Sequence, residues 1–368
     1  MATIPRPQVC FSILIFIFLA GTLLKFRQLQ PSLGLQSQFS EAAENSKSHN
    51  CTSRTIVRTS RVTKTVTTTT TTTATPTPPI GAAKAALPSS PPPPRQSSSS
   101  SSYGGFPRKL WQTSPNNAHV GSEPNVQQWL AANPSHRYER ITATNGDDYV
   151  REHYAHDPNI VKTFTDLQDG MLRADLVQYL FLLAEGGVYT DMDTTCLQPI
   201  SSWVPAEYAT KTDLVLGIEG DSLGGDLIPG FTYHVQFATW TMMVKPGHFI
   251  LKMIVERVIA QLHALAKKQN TTIAGIQASY MDVMDTTGPG IFSQTIYKGL
   301  SQVSGQKVNP SSLTGMKEPR LFGNVLVLPV TSFGAGLGHS GAGEVTDPAA
   351  LVHHMFAGTW KGDHPMRR

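Results

Sequence analysis

The chain has 368 residues with 30 Lys and Arg against 26 Asp and Glu, but the charge is unevenly spread. Residues 1–102 hold 10 basic and 2 acidic side chains and the remainder 20 and 24, so the basic excess belongs to a tail. No basic patch with interleaved aromatics points to a nucleic-acid partner, and three cysteines, Cys10, Cys51 and Cys196, supply no disulfide framework.

Residues 1–8 read as a short cytoplasmic tail. Residues 9–24 are uncharged and apolar, flanked by Arg6 on one side and by Lys25 and Arg27 on the other. At 1.5 Å per residue the run reaches about 24 Å, enough for a thin bilayer. A retained signal anchor and a cleaved signal peptide both fit. The bulky, basic Lys25-Phe-Arg-Gln-Leu29 offers no small-residue cleavage site, which favours the anchor. Residues 25–105 collapse to Ser, Thr, Pro and Ala, with Thr67 to Thr73, Pro91 to Pro94 and Ser97 to Ser102 as runs. Such a stem has too little apolar surface to offset the entropy of ordering and suits O-glycosylation. Asn50-Cys-Thr52 and Asn270-Thr-Thr272 fit the N-glycosylation sequon. Anchor, stem and a C-terminal domain at 106–368 together describe a single-pass type II protein of the Golgi membrane, its domain in the lumen.

Within that domain Phe106 to Thr113 reads as a strand, Pro124 to Asn133 as a helix and Arg137 to Thr142 as a strand. A polar helical stretch follows around Tyr149, Val150 and Tyr154. Met171 to Glu185 is apolar over most of its surface and stops at Gly186-Gly187, the pattern of a buried helix with a glycine C-cap. Val188 to Thr190, Asp213 to Ile218 and Thr239 to Val244 read as strands. His248 to Lys268 carries Ile250, Ile254, Val258 and Leu262 at helical spacing. Val325 to Leu328 and Leu351 to Phe356 complete the strands. Alternation of this kind implies an α/β domain with a largely parallel sheet, whose ligands bind beyond the carboxyl ends of strands.

That is where Asp191-Met-Asp193 falls. In an extended backbone, residues two apart share a face, so both carboxylates would reach one hard divalent cation, which in turn would hold a diphosphate. Oxygen ligands suit Mg²⁺ or Mn²⁺, and an added imidazole favours Mn²⁺. Asp175 lies on the buried helix, where a carboxylate needs a partner; an ion pair with Arg173 would supply one. His353 and His354, adjacent on a strand, face opposite ways, so one at most joins the aspartates. Thr287-Gly-Pro-Gly290 is a turn into a helix starting near Ile291, either a plain tight turn or a set of amides for an anion or sugar hydroxyl. Gly334 to Gly343, with five glycines, reads as a mobile loop beside the site.

Arg173-Ala-Asp175, Tyr179, Gly186-Gly187, Tyr189 and Asp191-Met-Asp193 resemble the core signature of glycosyltransferase family 32. Lys245-Pro-Gly247, Thr287 to Gly290 and His353-His-Met-Phe-Ala-Gly-Thr-Trp360 resemble the fungal initiation-specific α-1,6-mannosyltransferases within it. The opening strand departs from that group by placing Trp111 where His is usual. The resemblance spans about residues 106 to 361. It implies a GT-A-type nucleotide-sugar-binding fold with a mostly parallel central sheet, a GDP-mannose donor, Mn²⁺ (or Mg²⁺), and an N-glycan acceptor on glycoproteins. It further implies a complex with other Golgi mannosyltransferases and retaining transfer; with no residue marked as a nucleophile on the opposite sugar face, same-face attack assisted by the leaving phosphate is the expected route.

Carried onto this sequence, the resemblance gives the metal to Asp191, Asp193 and, of the two histidines, His354. Asp191, Asp193 and Asp175 would be the catalytic set. Arg173, Asp175, Tyr179, Gly187, Tyr189, Thr287, Gly288 and Gly290 would meet the donor. Two other readings stand beside this one: transfer to a glycolipid such as an inositol phosphoceramide, and a catalytically idle glycan-binding subunit.

Overall fold

A computed structural model describes residues 104–115, 123–338 and 340–364. The segments expected to form an anchor (9–24) and a stem (25–105, apart from its last two residues) lie outside the described residues, as do Cys10, Cys51 and the Asn50 sequon. Among the described residues no helix is long and apolar enough to cross a membrane.

Strands β1 (Lys109–Ser114), β2 (Arg137–Thr142), β3 (Gly187–Thr190), β5 (Leu214–Asp221), β6 (Val235–Val244), β7 (Arg320–Phe322) and β8 (Val325–Leu328) form one sheet. Their order is β2-β1-β3-β6-β5-β8-β7. Five strands point one way, while β6 and β7 run against them. The sheet is thus mostly parallel but mixed, because β6 doubles back from β5 through the 222–234 loop and β7 and β8 form a hairpin across Gly323. A second, two-stranded sheet pairs β4 (Thr194–Cys196) antiparallel with β9 (Val352–His354).

The pleat sorts side chains between two cores. Trp111, Tyr189, Leu214, Leu216, Ile218, Met242, Val244, Val325 and Val327 face one side. Their neighbours Leu110, Val188, Val215, Met243, Leu326 and Leu328 face the other. The first core is covered by three long helices, numbered after α1 (Pro124–Ala132), α2 (Gly146–His153) and α3 (Pro158–Asp166). They are α4 (Gly170–Glu185), α5 (Phe249–Lys268) and α7 (Pro289–Ser304), with the short α6 (Tyr280–Thr286) before the last. The second core closes around Trp129 of α1, Trp203 and Phe333 of the short α8 (Val330–Gly334).

Helix α4 is buried along most of its length, as its continuous apolar sequence implies. Asp169 caps it by accepting from the amides of Met171 and Leu172 at 3.0 and 3.1 Å. Gly186 ends it at φ 65°, and the indole of Trp111 donates to the Gly186 carbonyl at 2.9 Å. Gly187 then opens β3 at φ 108°, where a Cβ would lie 2.8 Å from the Lys109 carbonyl of the neighbouring strand. Only glycine lets the helix exit and the strand begin within that gap.

The structure departs from the sequence-based elements at several points. Helices α3, α6 and α8 and strands β4 and β7 had no expectation, β1 begins at Lys109 and not Phe106, and β9 covers only Val352–His354 of the expected Leu351 to Phe356. Strands β5 and β6 extend to Asp221 and back to Val235, beyond the expected ends at Ile218 and Thr239. Helix α7 begins at Pro289 with Gly288 as its N-cap, not near Ile291.

Gly187→Ala tests the hinge between α4 and β3. Backbone strain and the clash with Lys109 together are expected to destabilise the fold by about 2–4 kcal/mol. Urea unfolding monitored by tryptophan fluorescence would read the loss, and a change under 0.5 kcal/mol, the ordinary surface range, would contradict the account.

Candidate active site

Strand β3 is buried throughout and delivers its chain end to the sheet's carboxyl edge. The expectation that Asp191 and Asp193 continue an extended strand does not hold. β3 stops at Thr190, and Asp191-Met192-Asp193 is a turn leading into β4. The turn is fixed by tertiary partners. The Asp191 amide donates to the Trp240 carbonyl at 2.9 Å. The Asp191 carbonyl accepts from the Thr194 hydroxyl at 2.6 Å and the Gln112 amide at 3.2 Å. It is this turn, not strand alternation, that aims both carboxylates at one place.

The β4–β9 pairing sets His354 opposite Thr194 and so beside the turn. His354 Nε2 lies 3.0 Å from Asp193 Oδ1 and 3.9 Å from Asp191 Oδ2. The imidazole is packed between the rings of Trp240 and Phe356, centroids 4.6 and 3.8 Å away, and its buried Nδ1 has no hydrogen-bond partner. His353, half-buried, turns to the other face, against Gly336. The amides of Met355 and Ala357 donate to the Asp193 carbonyl and to Asp193 Oδ2, both at 2.9 Å. Tyr189 donates its hydroxyl to Asp191 Oδ1 at 2.5 Å and also meets Thr113 at 3.1 Å.

Electrostatically the two aspartates differ. Burial pushes Asp191 up to about 6, with Asp193 adding repulsion, while His354 and the Tyr189 hydrogen bond pull it back. Asp193 feels burial as well, but the His354 contact and the Ala357 amide outweigh it and hold the carboxyl below its ordinary value. One ligand atom from each of Asp191, Asp193 and His354 lies within 4.8 Å of the others. No lysine or arginine pairs with either aspartate among the described residues. Two hard oxygens and one imidazole nitrogen, left without a fixed cation, fit a divalent ion of the Mg²⁺ or Mn²⁺ type.

The cluster lies in a cleft of about 1420 Å³, also lined by Asp175, Arg173, Tyr189, Gly288 and Glu219. Asp175 is 4 % exposed, and the ion pair with Arg173 is not formed. Instead the Thr287 hydroxyl donates to Asp175 Oδ2 at 2.6 Å. Burial raises the carboxyl to about 7, against the lowering effect of that hydrogen bond, and Asp191 adds repulsion. Arg173 is engaged elsewhere, donating to the Phe164 and Leu167 carbonyls and to Asp147 at 2.8–3.0 Å. Tyr179, Gly187, Thr287 and Gly290 stand behind the wall of the cleft rather than on it. Tyr179 donates to the Thr287 carbonyl at 2.8 Å, and a Cβ on Gly290 would meet the Met284 carbonyl at 2.7 Å. The positions of Tyr179 and Gly290 suit holding the Thr287 turn against α4 and α6, whereas Gly187 sits at the junction of α4 and β3.

Residues without an expected role also line the cleft. Glu219, 8 % exposed, accepts from Gln236 Nε2 at 2.9 Å and is raised by burial to about 7. Asp169, besides capping α4, contacts His364 at 2.8 Å, 195 residues away. A carboxylate ending an apolar strand was the available signal for Glu219; nothing local marks the Asp169–His364 pair.

Carboxylates and an imidazole gathered on a turn at the carboxyl edge of such a sheet, in a cleft wide enough for a nucleotide sugar, define the class of the DXD glycosyltransferases. The family described as the glycosyltransferase sugar-binding region containing DXD motif matches residues 122–210. The initiation-specific α-1,6-mannosyltransferase of Candida albicans is 31% identical over 281 residues, covering 70% of this chain and 73% of that protein. That of Schizosaccharomyces pombe is 33% identical over 260 residues, covering 70% of this chain and 64% of that protein. Among solved structures, the PaToxG glycosyltransferase aligns at a TM-score of 0.36 and 11% identity, over 55% of this chain and 76% of that one. The chain is a glycosyltransferase and belongs to the family of the fungal initiation-specific α-1,6-mannosyltransferases.

Asp175 yields a pH prediction. Its folded pKa, about 7, exceeds its ordinary 3.8, so its contribution to stability is full below 3.8 and is lost as pH rises through about 7. Asp175→Asn keeps an acceptor for Thr287 and has no charge to bury. Its stability relative to the native chain should therefore improve from pH 4 and level off above about pH 7. Urea denaturation across that range without divalent ions reads the difference; a gap independent of pH would refute the assignment.

Proposed function

We propose that the chain is a metal-dependent, retaining mannosyltransferase that moves mannose from GDP-mannose to an N-linked glycan, forming an α-1,6 linkage in the Golgi lumen. The observation that carries this reading is the convergence of Asp191, Asp193 and His354 inside the cleft, in a chain whose relatives bear the name initiation-specific α-1,6-mannosyltransferase. Anchoring by residues 9–24 and a lumenal domain are part of the proposal.

On this reading Asp191, Asp193 and His354 hold Mn²⁺, with Mg²⁺ as the substitute. A bound divalent ion supplies Lewis-acid neutralisation of the diphosphate. Tyr189 orients Asp191 through its hydroxyl, and the Ala357 amide orients Asp193. The nucleotide lies towards the carboxyl ends of β1 and β2, where open α/β sheets receive ligands. Asp175, held by Thr287, accepts a hydroxyl of the transferred sugar. The Gly288-Pro289 start of α7 borders the same space. The donor linkage and the linkage named for the relatives' products are both α, so the acceptor attacks from the face that the diphosphate leaves, and the departing phosphate takes its proton.

The full chain, supplied with Mn²⁺, GDP-mannose and a high-mannose N-glycan, is expected to form an α-1,6-mannosyl product and to ignore UDP-hexoses. Asp191→Asn should lower the rate by at least about 100-fold and weaken Mn²⁺ binding in calorimetry. Equal use of a UDP-hexose, or a rate untouched by the substitution, would sink the reading. Because Asp191 titrates at about 6, Mn²⁺ affinity should hold above that pH. It should fall about tenfold per unit below it, and calorimetry at pH 5 and 7.5 tests this.

A further inference from the structure

Glu219 is a buried carboxylate on the wall of the cleft that no step above uses. It lies near the carboxyl end of β5, which runs parallel to β3; β6 separates the two. Two inter-strand spacings, about 10 Å, therefore divide β5 from the strand that delivers Asp191, on the side away from β1 and β2. Glu219 is within electrostatic reach of His354 and Lys361.

The surroundings of Glu219 are built. Gln236, fully buried, accepts the Thr232 amide on Oε1 at 2.9 Å, which fixes its Nε2 as the donor to Glu219 Oε2, also at 2.9 Å. The same side chain thus ties the 228–232 loop to the carboxylate. Phe231 of that loop packs close against β5 because residue 220 is glycine: a Cβ there would lie 2.5 Å from the ring. Phe231, Trp240 and Tyr280 all line the cleft with Glu219. Among the described residues the one side-chain hydrogen bond to this carboxylate is that of Gln236 to Oε2, and Oε1 receives none. Burial strengthens whatever hydrogen bond that oxygen makes.

A carboxylate oxygen beside aromatic rings is the chemistry that recognises a sugar, whose hydroxyls donate and whose C–H face packs on rings. The diphosphate and transferred hexose are placed by the Asp191 cluster and by Asp175 on α4. The lobe beyond them belongs to the other substrate. We propose that Glu219, held by Gln236, accepts a hydrogen bond from the acceptor glycan, and that the acceptor sugars occupy the lobe between β5, the 228–232 loop and Tyr280. This assignment rests on the glycan-transfer reading above; Glu219 touches the acceptor, and Gln236 is a positioning residue.

Glu219→Gln tests it, since the new amide still accepts from Gln236 and turns an N–H₂ towards the acceptor. In the full chain the KM for a high-mannose N-glycan is expected to rise about 10- to 100-fold, with the KM for GDP-mannose unmoved. Saturation-transfer NMR of the same glycan on the full chain should show weakened contact. Glu219→Ala should do the same, and thermal unfolding checks that both variants fold. Gln236→Leu should give a smaller rise in the glycan KM. Three results overturn the assignment: an unchanged glycan KM, a rise in the GDP-mannose KM instead, or a collapse of kcat with both KM values unmoved. Failure of the donor reading looks different. Glycan binding would still depend on Glu219, while another nucleotide sugar served as donor.

Discussion

Two carboxylates crowded onto one turn at the end of a buried strand are the constraint around which this domain is arranged. Burial and mutual repulsion both oppose the charge on Asp191, and a guanidinium or ammonium beside it would remove the difficulty for good. The partners actually present are a tyrosine hydroxyl, an imidazole and a backbone amide. Each stabilises the aspartates without cancelling their charge. The turn is thereby held in shape while its capacity for a divalent cation is kept, which a fixed salt bridge would have taken up.

Holding the turn draws on distant parts of the chain. Strand β6 accepts the Asp191 amide, α1 supplies the Trp129 indole to Thr194, and β9 brings His354. The amides of Met355 and Ala357 close over Asp193. Further along, His364 reaches back to Asp169 at the head of α4. The C-terminal segment is therefore part of the site's scaffold, and the shape of the acidic turn depends on residues that follow it by more than 150 positions. A second link, Asp175 and Tyr179 both engaging Thr287, ties α4 to the start of α7 across the floor of the same cleft.

What the sequence discloses follows from how local each cause is. Helix α4 is legible because its apolar run and the glycines that stop it are contiguous, and β8 because Pro329 follows a β-branched run. The acidic turn was mistaken for strand because Val188-Tyr-Thr190 continues smoothly into Asp191. The strand is ended by the Trp240 carbonyl and the Thr194 hydroxyl, which lie outside any local window. Strand β5 is expected from sequence only over Asp213 to Ile218, and the next residue, Glu219, is a carboxylate whose burial in a strand is costly. Gln236, 17 residues on, offsets that cost and lets the strand run to Asp221. Helix α3, capped by Asp157 and opened by Pro158, carried start signals that its mixed polar sequence obscured.

The cleft is thus flanked by two carboxyls of one kind. Asp175 on α4 and Glu219 on β5 are each buried, each held by a single neutral donor, and each raised to about 7. Such a group is poorly suited to binding a cation, because its charge is only half developed near neutral pH. It is well suited to a hydroxyl, since it accepts a proton when ionised and donates one when not. In the interior either bond is strong, and a hydroxyl of the wrong configuration leaves a buried polar atom unpaired at a cost of about 1–3 kcal/mol. On the proposed reading the central cluster grips the diphosphate that GDP- and UDP-sugars share. The carboxyls to either side read the hydroxyl patterns that distinguish one sugar from another.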